Sequence, residues 1–457
     1  MVTTASARAR DSAPAKPAPL SARLRFGYAS GSLVTGTFTT LPGLLLLPYL
    51  TDTLGVGAAL AGAIVFVPKA WDAVLNPLVG RASDRTRTRW GARRPYVMLG
   101  GLAMALAFAL TFAGPLPGSA GAWFTAAGYL LTATAFAFFQ VPYVAMPAEL
   151  ADRDEDRMRL VGGRVAVIGV AALVTGAAGP ALVDAGGGGL AGHRWVGVFG
   201  AVVIALGALW VFAGTARATG TARATGAARA DRVLESEPAL RRQFAAARGN
   251  ASFMALLRCV VVQSVATGVL LAGAPYFADH VLGDSAGVGA LVVAFVAPNL
   301  LTVPLWSRLR GRRGYAYASA LFATGCLLLL AAPLLPQAAV LLVMALAGTG
   351  HAGQLLFLYA MLPDCIARDA MRTERRRAGI LSGLFTTGEG LGVALGPFLY
   401  GVVLQLSGYV SSGTGRAAEQ TETAQLGMLA GFTLLPALAT AIAVALLRGY
   451  GRPDPAP

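Results

Sequence analysis

The stretch Lys69-Ala-Trp-Asp72-Ala-Val-Leu-Asn76-Pro77-Leu-Val-Gly80-Arg81-Ala-Ser-Asp84-Arg85-Thr-Arg87-Thr-Arg89-Trp90-Gly91-Ala-Arg93-Arg94-Pro95 decides how this chain is read. Its first part closes an apolar run over 57–80, its second is a short arginine-rich connection, and another apolar run over 95–115 follows at once. A run of about 20 apolar residues is the length a helix needs to cross a bilayer. Lipid offers backbone groups no partners, so such runs must be helical. Working outward, twelve runs of this kind occur, at 26–50, 57–80, 95–115, 121–147, 160–183, 195–215, 251–278, 285–307, 314–334, 337–362, 378–406 and 425–447. The expectation is an all-α polytopic membrane protein of twelve transmembrane helices in two six-helix halves. Its segments are a tail (1–25), a first half (26–215), a linker (216–250), a second half (251–447) and a second tail (448–457). Over the 457 residues, 56% are hydrophobic and 13% charged, against about 25% charged in soluble domains. That excludes an ordinary cytosolic enzyme, a disulfide-stapled secreted domain and a disordered regulator.

The net charge of +15 would point to nucleic acid in a soluble protein. The placement of the charges says otherwise. With the N-terminus inside, 33 of the 37 Lys and Arg residues fall in the tails and the inside loops. Only Arg194 and Arg416 fall outside, and Lys69 and Arg258 lie within spans. This is the positive-inside pattern; it predicts both termini and the linker on the cytoplasmic side of a plasma membrane, and no nucleic-acid partner. Arginine bias with abundant Ala and Gly is the composition of a GC-rich bacterial gene. Residues 1–22 lack the apolar core of a signal peptide. Cys259, Cys326 and Cys365 have no metal-ligand spacing. A phosphate-binding glycine loop, a nucleophile elbow and HExxH are all lacking from the sequence, so neither an enzyme nor a metal or organic cofactor is expected.

The loops after spans 2 and 8 (GRASDRTRTRWGARRP and WSRLRGRRG) echo each other at matching places in the two halves. Parallel six-span repeats are the mark of a major-facilitator transporter. The opening stretch resembles the glycoside–pentoside–hexuronide:cation symporter branch of that superfamily, the melibiose permease group, which carries R-x-W-D-A-x-x-D-P followed by S-D-R-T-x-x-R-W-G-R-R-P. Pro142-Tyr143-x-x-x-Pro147-Ala-Glu149-Leu, and Leu362-Pro-Asp364 with Arg372-Thr-Glu-Arg-Arg-Arg-Ala-Gly-Ile, resemble two further loops of the branch. The resemblance implies symport of a sugar-like small molecule. It also exposes departures. Asn76 stands at the second helix-2 carboxylate with Leu75 before it, Gln140 at the helix-4 aspartate, Gly390 at the helix-11 lysine beside Glu389, and Gly36 at the helix-1 aspartate, aligned on Thr51-Asp52. Of the four carboxylates considered, Asp72 alone remains.

Asp72 lies near mid-span, where an unpaired charge costs roughly 2.5–3.5 kcal/mol, and Lys69, three residues earlier, is within pairing reach. The group either answers to a cation or proton, or simply ties span 2 to its neighbours. Lys69, Asp72, Asn76 and Glu389 are the candidate coupling residues, with Glu389 either pairing across the bundle to Lys69 or Arg164, or solvated at a helix end. Gln140, Tyr143, Arg164, His351 and Gln354 are candidate substrate contacts; Arg164 is equally a snorkelling end residue, and His351 equally a packing residue. Asp84, Arg85, Arg93 and Arg94 form a candidate cytoplasmic gate, or else serve topology alone. A sodium ion needs several oxygen ligands, whereas a proton needs one titratable group, so H⁺ is favoured over Na⁺. The expected activity is secondary active transport by a monomer in the lipid bilayer. The alternatives are an exporter or exchanger of an amphipathic metabolite or lipid-like molecule, and a receptor of transporter shape that moves nothing.

Overall fold

A computed structural model describes residues 20–116, 118–151, 153–216, 247–284, 287–306, 308–309, 311–373, 378–413 and 418–451. Most of the tail (1–25), of the linker (216–250) and of the second tail lies outside the described residues.

Among the described residues, twelve helices follow the apolar runs. They are α1 (Ala22–Thr53), α2 (Ala58–Arg85), α3 (Arg94–Thr111), α4 (Gly118–Ala145), α5 (Asp154–Ala185), α6 (Gly189–Gly214), α7 (Ala251–Val281), α8 (Val288–Leu301), α9 (Gly311–Leu334), α10 (Gln337–Thr373), α11 (Ala378–Leu406) and α12 (Glu422–Leu446). Among the described residues, 11 are long and apolar enough to span a membrane. The exception is α8, with 14 residues against the longer run expected at 285–307. Pro298 lies within it, Thr302 ends it with its hydroxyl turned back onto the Pro298 carbonyl (2.8 Å), and the chain resumes as the short helix Val303–Trp306. Proline withholds a backbone donor and crowds the preceding turn. Side chains close helix starts where the sequence allows: Asn250 Oδ1 accepts from Phe253 N, and Thr421 Oγ1 from Ala424 N.

Within the first half α1 packs on α5 and α6, and α3 on α4 and α6; within the second, α7 packs on α11 and α12, and α9 on α10 and α12. The halves meet along α2 with α11, α5 with α8, and α1 with α7. The pairs α2–α11 and α5–α8 exchange under the operation that relates two six-helix repeats. Close approach needs glycine: a Cβ on Gly401 of α11 would stand 2.4 Å from the Ala58 carbonyl oxygen of α2.

Every hydrogen bond that joins the halves among the described residues lies at one end. There Thr51 Oγ1 and Tyr276 Oη share a 2.8 Å bond, Tyr409 Oη donates to Asp52 Oδ1, Ser411 Oγ donates to the Val56 carbonyl (2.8 Å) and Ser412 Oγ to the Asp52 carbonyl (2.7 Å). The rings of Phe66 and Phe398 meet just beneath, 6.1 Å apart. At the opposite end lie Asp84, Arg93 and Glu149 of the first half and Asp364 and Arg368 of the second, and no bond crosses between them. Among the described residues the bundle is latched at this one end.

Candidate functional site

Lys69 projects from the middle of α2 between α1 and α4, with its ammonium 3.5 Å from the Phe38 ring centroid and 5.6 Å from that of Phe136. A cation held over aromatic faces away from water gains about 2 kcal/mol. Among the described residues Lys69 and Asp72 form no direct ion pair, unlike the pairing their spacing allows. Asp72 Oδ1 is buried with no hydrogen-bond partner. A buried acceptor left open costs about 1–3 kcal/mol, so this oxygen is where an added proton or ligand gains most. Asn76, one turn further along, is half-buried.

Gln140 of α4 faces the same region, and its Oε1 accepts from Thr35 Oγ1 of α1 (2.8 Å). The departure at Gly36 has a steric reason: a Cβ there would stand 2.5 Å from Ala171 of α5, leaving no room for a carboxylate. At Gly390, by contrast, a Cβ would meet open space.

A second constellation sits closer to the unlatched end and draws on both halves. Tyr359 of α10 donates to Glu389 Oε2 of α11 (2.7 Å) and remains half-exposed. Arg164 of α5 is near enough for its charge to act on both groups, and its Nε is buried without a hydrogen-bond partner. Glu389 therefore bonds to Tyr359, not to Lys69, and faces Arg164 without a direct ion pair. Tyr359 escaped sequence reasoning; its spacing from His351 and Gln354 on one helix was the available signal.

Other candidates are occupied internally. Tyr143 is fully buried, donates to the Tyr28 carbonyl (2.8 Å), shares a 3.0 Å bond with Ser32 Oγ and stacks on Tyr28. It packs the first half, and its ring lies 5.8 Å from the Arg164 guanidinium. Gln354 is enclosed in a polar chain: Gln263 Nε2 donates to its Oε1 (2.8 Å), its Nε2 donates to Ser319 Oγ (3.2 Å), and Tyr315 donates to Gln263 (3.1 Å). His351 stacks on Phe295 at 5.1 Å, buried, with Nδ1 unpartnered.

The arginines of the opening stretch act within the first half. Arg93 Nη2 lies 3.4 Å from Asp84 Oδ1 and its Nε 3.1 Å from Glu149 Oε1, while Nη1 donates to the Ala145 carbonyl. Arg94 donates to the Phe212 carbonyl of α6 and lies 4.3 Å from the Phe212 ring. Arg85 is exposed. These groups bind the ends of α2, α3, α4 and α6 into one rigid corner; in this conformation they do not bridge to the second half. Glu149, quoted from the sequence only as part of a motif, is the missing partner.

Replacing Arg93 with Ala is expected to cost about 1–2 kcal/mol of stability, since Asp84 and Glu149 are 54% and 39% exposed and water screens both pairs. Burial holds the Glu149 carboxyl above its ordinary 4.5; Arg93 opposes that and Asp84 adds to it. Without Arg93 only the raising influences remain. A carboxyl raised in the folded state contributes stability below its unfolded pKa and loses it as pH climbs through the folded value. The deficit of the variant should therefore widen as pH rises from about 4.5 towards 8, read as melting temperature against pH. A pH-independent deficit would contradict this.

The latch allows a second expectation. Burial and the Asp52 charge both keep the Tyr409 phenol protonated, so it stays a donor. Tyr409→Phe removes this hydrogen bond and leaves a part-buried Asp52 oxygen without its donor, worth about 1–3 kcal/mol. A cysteine placed at the exposed Thr39 should then label roughly 10-fold faster from the latch side. An unchanged rate would return Tyr409 to simple packing.

Two six-helix halves, latched at one end and carrying buried ionisable groups at mid-depth, define a membrane transporter, not an enzyme. The MFS/sugar transport protein family matches residues 27–451, and the chain belongs to it. The relatives accord with the symporter branch that the opening stretch resembles. The glucuronide carrier protein homolog of Escherichia coli (strain K12) is 23% identical over 431 residues, covering 91% of this chain and 90% of that protein. The isoprimeverose transporter of Lactiplantibacillus pentosus is 23% identical over 404 residues, covering 85% and 81%. Among solved structures, a D-xylose-proton symporter superposes with a TM-score of 0.64 at 13% identity, covering 94% of this chain and 98% of that one. A nucleoside transporter gives 0.65 at 14% identity, covering 94% and 99%. These two share the fold.

Proposed function

We propose that this transporter carries a glycoside- or hexuronide-like solute in symport with a proton, as a monomer working by alternating access across a bacterial cytoplasmic membrane. The observation that carries the proton is the buried Asp72 oxygen without a partner, beside a lysine engaged elsewhere. One proton satisfies one oxygen; a sodium ion would need several. Arg164, with Tyr359 and Glu389, forms a place for hydroxyl or carboxylate groups of the solute, since guanidinium, phenol and carboxylate together both donate and accept. The sugar class rests on the relatives, the glucuronide carrier homolog and the isoprimeverose transporter.

The positive-inside pattern supports cytoplasmic termini. In that orientation the latch of Asp52, Tyr276 and Tyr409 faces outward, and the molecule is open to the cytoplasm. Single cysteines at the exposed Arg87 and Glu419 should label with an impermeant reagent from opposite membrane faces. Labelling from one face would overturn the orientation.

A further inference from the structure

Arg258 lies inside a span, as Lys69 and Arg164 do, but transport gives it no task. It lies seven residues into α7, roughly 10 Å along the helix, and is exposed. Among the described residues it has no hydrogen bond or ion pair. It points into a groove of about 920 Å³ between the start of α7 and the end of α12, walled by Met254, Leu257, Val261, Val262 and Leu446, with Arg248 also among its lining residues. Among the described residues none of the first half lines this groove, which sets it apart from the cleft between halves. The faces of α7 settle its direction. Gln263 turns to α9 and α10, where it bonds Tyr315 and Gln354. Leu257 and Val261 meet Gly388 of α11, and Ala255 meets Gly449 beyond α12. Arg258 lies between those last two directions, on the perimeter.

Among the described residues the lining holds Arg258 and Arg248 and no acid, set above apolar walls. A lone cation at that depth needs either water or an anion. A free phosphate would pair the arginine but leave the walls bare; a diacyl lipid with an anionic headgroup fits both. We infer that this groove binds an anionic phospholipid, its headgroup phosphate on Arg258 and an acyl chain along Leu257, Val261 and Leu446. Basic pockets between transmembrane helices on the cytoplasmic side suit such headgroups. The inference stands apart from the transport reading and needs no substrate to test.

The test is native mass spectrometry of the full-length protein with phosphatidylglycerol or phosphatidylcholine at equal concentration. The wild type should retain the anionic lipid about 10-fold more, the worth of one charge-assisted contact. Arg258→Gln should lose that preference, and so should Val262→Trp, which fills the groove while keeping the charge. Arg308→Gln, at an exposed site off the groove, should keep it. Equal retention of both lipids by the wild type, undiminished preference in Arg258→Gln, or equal loss in Arg308→Gln would each overturn the proposal.

Discussion

Replacing Asp72 with Asn is expected to abolish accumulation of solute against its gradient while equilibrium exchange survives. The amide keeps the size of the carboxyl and can still pack in α2, but it cannot take up or release a proton. The open Oδ1 is the reason to place coupling here: in this conformation no hydrogen bond from the described protein offsets its burial. Lys69 sits on Phe38 and Phe136 without a direct ion pair to Asp72, though the two charges still act on one another. A change of conformation that moves α1 or α4 against α2 would alter both environments together. Each unit of difference in pKa between the two states is worth about 1.4 kcal/mol of coupling. Full gradient-driven accumulation by Asp72→Asn would remove Asp72 from the coupling step.

The second large effect is expected at Arg164. Its Nε is buried without a partner and its charge faces Glu389 and Tyr359 across the cleft. Arg164→Gln should raise the half-saturating solute concentration roughly 10- to 100-fold, as losing a charge-assisted contact of about 1.5–3 kcal/mol requires. Tyr359→Phe should have a smaller effect of the same sign, because it frees Glu389 without removing a charge. The measurement is counterflow in proteoliposomes over a range of solute concentrations. An unchanged half-saturation in Arg164→Gln would mean that the guanidinium serves only the end of α5.

The spans were legible because bilayer thickness fixes their length, whatever the partners. The shortfall at α8 was legible in principle from Pro298 and Pro304, which interrupt a run that composition alone treats as continuous. The latch was not legible. Thr51 and Tyr276 are 225 residues apart, and Asp52 and Tyr409 357 apart; neither pairing leaves a local pattern, and Thr51-Asp52 served the sequence reading only as an alignment mark. The same limit explains Lys69: spacing on α2 named Asp72 as its neighbour, but the Phe38 face from α1 lies nearer the ammonium. Tyr143 and Gln354 show the reverse limit. Their residue types suit a polar ligand equally well, and only packing shows that Tyr28, Ser32, Gln263 and Ser319 already occupy their polar groups. The absent helix-1 carboxylate, read first as a departure from a family pattern, is a packing requirement of Gly36 against Ala171.

The most direct test is uptake of a labelled hexuronide or glycoside into proteoliposomes of the wild-type protein, with an imposed pH gradient and no sodium. Concentrative uptake driven by the proton gradient, unaltered by adding sodium at fixed pH, is the predicted result. Uptake that needs a sodium gradient and ignores the proton gradient would contradict it.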